Sequence, residues 1–508
     1  MKDKVGIVGY GVYIPYKRIK TEDIVKAREK HRPDLEDFLA KVRNGLLLNF
    51  KSVADFTEDV TTLAGEAAEN AVMMAGVNPA DIGTVVLGSE SKPYAVGLSA
   101  RHVASFLGTG VKVFVADIEG ACNSAMQGVD FIRGQILTDE IKYGLAIGSD
   151  IAQAPIGDPL EYACGAGAAA LIIGKQDTVA DIIDIAPYSS LTLDFWRREG
   201  IPVPSHFGKT TVDAYITHVT GAIHNLLERN PDLRLSDFDA ITFHQPSGYM
   251  PLKTMKTLLA PDSSKYGKDI AKRIKITEKG IEEKFKPWLK VLEIGNTYAA
   301  STPIALTAIL DAAKPGDNIL AVSYGSGAYS IATWFEVTKE IIKKRGNVPT
   351  FEDYINRARE IELLTYQDHI RERLHQTKLW LTKSRIVGEV EKPQGAAHEF
   401  QLCECQRIYY PCRDRCLDSG CKGPLSCSVF HQYATLKSFE RLSLTKSLVS
   451  NYELLKEGRV LIVDADFHDL EKGMTMELVI RRLDYEGKSG IIQYGPCYRP
   501  AFRNFNKP

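Results

Sequence analysis

From residue 1 to about 345, short runs rich in β-branched and small apolar residues alternate with stretches of helical periodicity. That alternation confines the chain to a layered α/β fold with parallel strands, because each intervening helix carries the chain back across one sheet. The strand runs of one half are "VGIVGYGVYI", "IGTVVLGSE", "VKVFVAD", "YGLAIGSD" and "GAAALIIG". Those of the other are "FDAITFHQPS", "NILAVSYGSG" and "YSIATWFEV". The two halves close alike, "YGLAIGSD…GAGAAALIIG" beside "NILAVSYGSGAYSIATWF", as an internal duplication would leave them. At 508 residues the chain exceeds a single hydrophobic core. The expected units are 1–175 and 176–346 for the two halves, 347–400 for a helical tail and connector, 401–428 for a cysteine-rich ribbon and 429–508 for a small β domain.

Charge narrows the partners. Lys plus Arg number 63 against 64 Asp plus Glu, which leaves no basic surface to argue for nucleic acid or an acidic membrane. The opening "MKDKVGIVGYGVYIPYKR" is broken by Gly6, Gly9 and Gly11, so it reads as a first strand and not as a signal peptide. "YACGAGAAALIIG" is too short to span a bilayer. The expectation is a cytoplasmic protein acting on small neutral or weakly anionic substrates. Six of its nine cysteines fall between Cys403 and Cys427, and without a secretory signal such a cluster reads as metal ligation.

Cys122 stands apart from that cluster, in "VADIEGACNSAMQGVDFIRGQIL". The preceding "VKVFVAD" reads as a buried strand, and Ala125, Val129, Ile132 and Ile136 recur at helical spacing after it. Cys122 therefore occupies a strand-to-helix turn, where free N–H groups and the helix dipole favour a thiolate. Alone, a free cysteine among small residues is more often a buried packing residue. Three other polar residues also end strands: Glu90, His244 and Asn296. Singly these are a solvated loop acid, a core histidine and a turn asparagine. Together they mark the crevice beyond strand ends where open α/β sheets bind ligands.

The ordered motifs "VGIVGYGVYIPYKRIKTEDI", "GSESKPYAV", "EGACNSAMQG", "GDPLEYACGAGAAALIIG", "DFWRREG…PSH", "FHQPSGYMP", "IGNTYAASTPIAL" and "SYGSGAYS" resemble the archaeal-type hydroxymethylglutaryl-CoA synthases of the thiolase superfamily. The resemblance implies a duplicated five-layered αβαβα sandwich, assembled as a homodimer or higher homo-oligomer. It implies Cys122 as acyl-accepting nucleophile, Glu90 as general acid/base and His244 as the group that binds and protonates the second substrate. Asn296 and Ser326 match pocket positions, and Thr211 and Lys253 those that hold CoA. The implied reaction joins acetyl-CoA to acetoacetyl-CoA through an acetyl-cysteine, giving 3-hydroxy-3-methylglutaryl-CoA in the mevalonate pathway, with no cofactor needed for catalysis. A type III β-ketoacyl-carrier-protein synthase is the enzymatic alternative, with Cys122, His244 and Asn296 as a Cys-His-Asn set. Glu90 separates the two, since a decarboxylating synthase has no need of a base there. A non-catalytic scaffold of an acyl-CoA complex is the other alternative, against which the retention of Cys122, Glu90 and His244 argues.

In "FQLCECQRIYYPCRDRCLDSGCKGP", Cys403 with Cys405 and Cys416 with Cys421 are spaced as two knuckles, and four thiolates suit tetrahedral Zn²⁺. Cys412 is a possible substitute, and a relic ribbon or redox-sensitive cluster is the alternative. The strands that follow suit a small closed barrel such as an OB-fold. With "EKGMTMELVIRRL…YGPCYRPAF" the segment resembles the acyl-CoA-associated zinc-ribbon/OB family. That resemblance implies a module bridging to an acetoacetyl-CoA thiolase.

Overall fold

The computed structural model describes residues 4–375, 384–391, 397–404, 408–409, 416, 421, 423–443, 459–486 and 491–502. Nine strands form the main sheet: β1 Gly6–Tyr13, β2 Ile82–Gly88, β3 Phe114–Ile118, β4 Tyr143–Ile151, β5 Ala166–Gly174, β6 Ala180–Thr192, β7 Ala240–Phe243, β8 Asn318–Gly325 and β9 Gly327–Val337. Their spatial order is β7-β8-β9-β6-β1-β5-β4-β2-β3. Pairing is mixed and not uniformly parallel, as the alternation alone suggested. β2 runs parallel to β3 and β4, and β7 to β8, while the hairpins β4-β5 and β8-β9 and the pairs β5-β1 and β9-β6 are antiparallel. The run β2-β4-β5-β1 thus has the same order and directions as β7-β8-β9-β6, with β3 added outside β2. The two runs meet where Gly6 and Ile7 of β1 face Asp181 and Ala180 of β6.

Helices cover the sheet according to side-chain size. Val60–Ala75 is capped by Asp59, whose carboxylate accepts from Thr62 N–H, and its alanines let it lie close on the first half. Gly208–Arg229 covers the second half through Tyr215, Val219, Ile223 and Leu226. Ser124–Leu137 and Ser301–Ala312 share a core with strands of both halves, through Met126, Val129 and Ile132 on one helix and Leu306, Ile309 and Leu310 on the other.

β3 corrects one expectation. "VKVFVAD" does not form a buried strand: β3 is an edge, Val111 before it is 89 % exposed and Phe114 50 %. An apolar run has the same composition whether a neighbouring strand or water lies beside it, so the run alone did not reveal the edge.

A second body follows. Strands Ser384–Glu391, Tyr433–Ser443, Thr475–Glu486, Ile491–Pro500 and Arg459–Ile462 close into a five-stranded barrel in that order. Its first strand comes from the stretch read as connector. A three-stranded sheet made of Ile408–Tyr409, Ala397–Cys403 and Leu425–His431 is inserted between the first and second barrel strands. The barrel docks on the first half through buried charge. Arg481, fully buried, donates to Asp464 at 2.8 Å, to Tyr13 Oη at 3.0 Å and to Glu66. Arg499 lies 2.9 Å from Glu66 and 2.5 Å from Glu477. No helix among the described residues is long and apolar enough to cross a membrane.

Candidate active site

Cys122 sits in the single 3₁₀ turn Ala121–Asn123 between β3 and the helix Ser124–Leu137. Ala121, just before it, is in the left-handed region at φ +51°, a conformation that costs a non-glycine residue about 1–3 kcal/mol. The hairpin β8-β9 presses on this turn. A Cβ on Gly325 would lie 2.3 Å from Gly120 O, so only glycine permits the approach. Buried Ser323 Oγ donates to Asn123 Oδ1, tying the residue after the cysteine to the same hairpin.

The Cys122 thiol donates to Glu90 Oε1 at 2.8 Å. Glu90 is held from behind by Asp150, the last polar residue of "YGLAIGSD". Asp150 Oδ1 accepts from Glu90 N at 2.8 Å, Ser91 N at 3.0 Å, Ser91 Oγ at 2.6 Å and Ser89 Oγ at 2.9 Å, and Oδ2 from Ala299 N at 2.9 Å. Arg197 donates to the Glu90 carbonyl at 2.9 Å. Burial, with the Asp150 charge beside it, pushes Glu90 up to about 8. Burial also raises Asp150, to about 6. The Cys122 thiol is pushed well up, by burial first and then by Glu90, Asp150 and Asp194. This corrects the expectation of a helix-stabilised thiolate: one short turn of N–H groups is outweighed by carboxylates in a dry site.

His244 follows β7, is 1 % exposed and is lowered to about 3 by burial, so its imidazole is neutral near pH 7. Its Nδ1 makes no hydrogen bond among the described residues. A cavity of about 190 Å³ is lined by Cys122, His244, Asn296, Ser326 and Thr211, together with Cys164 and Tyr298. Asn296 Oδ1 accepts from Tyr298 N at 2.9 Å. Ser326 Oγ donates to Asp194 Oδ2 at 3.2 Å, where Tyr324 Oη also donates at 2.8 Å. Thr211 Oγ1 donates to the Asp194 carbonyl at 3.0 Å, so its hydroxyl is engaged at the helix start. Lys253 is not among the lining residues; its Nζ lies 5.4 Å from the Tyr249 ring centroid, one turn along the helix from lining Met250.

Sequence reasoning missed Asp150, Asp194 and Cys164. Asp150 carried the same strand-end signal that singled out Glu90 and His244; Asp194, in a connecting loop, opens the family-like motif "DFWRREG", which marked no residue of its own as functional.

In the small sheet, the sulfurs of Cys403, Cys416 and Cys421 all lie within 4.8 Å of one another. Cys403 and Cys421 sulfurs are 3.3 Å apart, and Gly423 N–H donates to Cys421 Sγ at 3.4 Å. Cys405 and Cys412 lie outside the described residues.

No family model matches the chain. A hydroxymethylglutaryl-CoA synthase of Methanopyrus kandleri is 42 % identical over 355 residues, covering 70 % of this chain and 93 % of that protein. The chain belongs to the hydroxymethylglutaryl-CoA synthase family. It is thus an acyltransferase, and its thiolase-like α/β fold is the family's. The synthase of Methanothermobacter thermautotrophicus is 40 % identical over 363 residues, or 71 % of this chain and 96 % of that one. Among solved structures, an HMG-CoA synthase complexed with CoA superposes with a TM-score of 0.61 at 25 % identity, covering 72 % of this chain and 90 % of that one.

Proposed function

We propose that the chain condenses acetyl-CoA with acetoacetyl-CoA through an acetyl group carried on Cys122. The observation that carries this reading is the 2.8 Å hydrogen bond from the Cys122 thiol to a carboxylate of raised basicity. Cys122 attacks the thioester, and its proton leaves on the departing CoA sulfur. Acetylation removes the S–H that Glu90 was accepting. The ionised carboxylate then stands beside the acetyl methyl group, and a base near 8 is matched to removing a weakly acidic proton near neutral pH. The enolate attacks the ketone carbon of acetoacetyl-CoA. Neutral His244 donates a hydrogen bond to that ketone oxygen as charge develops, and the alkoxide's proton is balanced by the one Glu90 took from the methyl group. Water cleaves the enzyme thioester, releasing 3-hydroxy-3-methylglutaryl-CoA and restoring the thiol. In this reading Asn296 and Ser326 line the acyl pocket, and Thr211 and Lys253 lie toward the CoA arm.

Intact-mass measurement after acetyl-CoA, then acetoacetyl-CoA, is the test. An acetyl adduct on Cys122 that is absent from Cys122→Ala and discharged by the second substrate is expected. An adduct elsewhere, or one formed only from longer acyl donors, favours the ketoacyl-synthase reading.

The strand order repeated between the halves supports a duplicated five-layered sandwich, and the closed barrel with its inserted sheet supports a ribbon and OB-type module at the C-terminal end. Three soft thiols converging with an N–H on one sulfur fit a structural Zn²⁺ site, with Cys405 as fourth ligand. About one zinc per chain is expected to copurify, and Cys403→Ser with Cys421→Ser to release it while Cys122 acetylation persists. Zinc-free protein with an intact sheet removes the site. The bridging role rests on the resemblance of the C-terminal segment and on the uphill formation of acetoacetyl-CoA by a thiolase, which a docked synthase would drain. Retention of an acetoacetyl-CoA thiolase by the full-length chain in a pull-down is expected, and failure to retain it ends that reading.

A further inference from the structure

The loop that begins at Glu90 leaves the active site and runs to the helix Ser99–Leu107. Its near end is tied down by Asp150, and Lys92 lies 2.6 Å from Glu119 and 3.6 Å from Asp117, on the segment leading to Cys122. Beyond these ties Ala95, Val96, Gly97 and Leu98 are exposed. Tyr94 is the exception. Its Oη accepts the N–H of Ile492, a barrel residue, at 2.7 Å, and its ring packs against the barrel's apolar core. The same ring stacks on His102, whose ring lies 5.6 Å from that of Tyr494, also of the barrel. Phe106, at the end of the helix that follows the loop, is 8 % exposed and belongs to the barrel's own apolar cluster, with Leu436, Met476 and Tyr494. Tyr494 Oη in turn donates at 2.8 Å to Asp59, the cap of helix Val60–Ala75. The barrel core is therefore completed by a residue within the catalytic-base loop and by residues of the helix that follows it.

We propose that the barrel clamps the loop carrying Glu90, making Tyr94 a positioning residue for abstraction of the acetyl methyl proton. The inference rests on the reading of Glu90 as that base. A small displacement of a reacting group is enough to cost an order of magnitude or more in rate. Asp150 and Lys92 fix the loop at the Glu90 end, whereas Tyr94 fixes it four residues on, against the barrel. The C-terminal body then serves the synthase's own chemistry in cis, apart from anything else it docks.

The test uses the full-length chain loaded with deuterated acetyl-CoA, following two events on Cys122: acetylation, and loss of deuterium from the bound methyl group. Tyr94→Ala is expected to slow the exchange and the condensation about tenfold, with acetylation changed less than twofold at a temperature below the lowered melting point of the variant. Tyr94→Phe, which keeps the ring in the barrel core, is expected to recover the rate to within about threefold of the parent. Glu90→Gln is run alongside. If it exchanges methyl deuterium normally, the assignment of the base falls. If it stops exchange while Tyr94→Ala exchanges at the parent rate, the clamp falls and the base stands. Equal losses of acetylation and exchange in Tyr94→Ala also overturn the clamp, since they mark a general effect on the fold.

Discussion

Glu90 and Cys122 share one hydrogen bond, and their titrations pull against each other. Burial and Asp150 raise Glu90 to about 8, far above an ordinary carboxylate near 4.3, so about one tenth of it is ionised at pH 7. Because the base form grows as pH rises, the single-turnover rate of condensation from preformed acetyl-enzyme is expected to climb with pH across and above 8, since acetylation removes the Cys122 S–H bond that lowers Glu90. A flat profile from pH 6 to 9 would remove Glu90 as the base. The carboxylate also holds the thiol up. Glu90→Gln is therefore expected to move iodoacetamide labelling of Cys122 to lower pH, and to leave acetylation by acetyl-CoA in place. His244 makes the opposite contribution: with its pKa near 3 it remains neutral across this range and donates a hydrogen bond without adding charge.

At the scale of the element, β3 joins two tasks. Its C-terminal end leads into the turn that presents Cys122, and Asp117 within it accepts from Ser99 N at 2.9 Å and Ala100 N at 2.8 Å, capping the helix beyond the Glu90 loop. Its outer edge has no strand partner among the described residues. Phe114 pairs there with Phe131 at 5.8 Å between ring centroids, and both are more than two-fifths exposed. An unpaired edge beside exposed aromatic rings is a template for pairing with another chain. A homodimer of the kind the family resemblance implies is expected to pair along this edge. Phe114→Glu, which sets like charges against each other across a two-fold axis, is expected to shift sedimentation toward the monomer. An unchanged assembly would move the interface elsewhere.

For the whole molecule, the junction between barrel and catalytic halves is ionic and dry. Burial alone would raise Asp464, but Arg481, Arg357 and Arg499 outweigh it and hold the carboxyl low. Glu58, facing the same guanidinium, is raised to about 7 by burial despite Arg481. These two acids act in opposite directions on stability. The Asp464 contribution is present above the ordinary carboxylate range and lost in acid, whereas the raised Glu58 weakens the folded state as pH climbs through 7. Removing Arg481 leaves Glu66 to Arg499, and Asp464 to Arg499 and Arg357; deleting one partner of a buried pair costs up to about 3–5 kcal/mol, less where other cations remain. Arg481→Met is expected to speed amide exchange in Thr475–Glu486 and Val60–Ala75 while sparing Gly208–Arg229. Equal protection in all three would mean that apolar packing around Phe106 and Tyr494 holds the junction without the charge.

Local periodicity determined a good deal here. The strand runs and the helix after Cys122 are present where the pattern places them, with Ala125, Val129, Ile132 and Ile136 all buried. The strand-end positions of Glu90, Cys122 and His244 were legible because a strand's end is a local event, read from where apolar residues stop; Asn296, read the same way, instead follows the short helix Val291–Ile294, since four apolar-rich residues suit either element. What faces each of them was decided in three dimensions. Glu90 and Cys122 are 32 residues apart, Asp150 lies 60 from Glu90, and Ser323 is 200 from Asn123. Burial and charge at such distances set the direction in which a thiol or carboxyl titrates, and no local pattern encodes them. The barrel shows the same division. Its strands alternate as strands must, but Ser384–Glu391 pairs with Tyr433–Ser443 on one side and Arg459–Ile462 on the other. Closure therefore depends on segments that the sequence separates, and so does the seat of Phe106 and Tyr94 in the barrel's core.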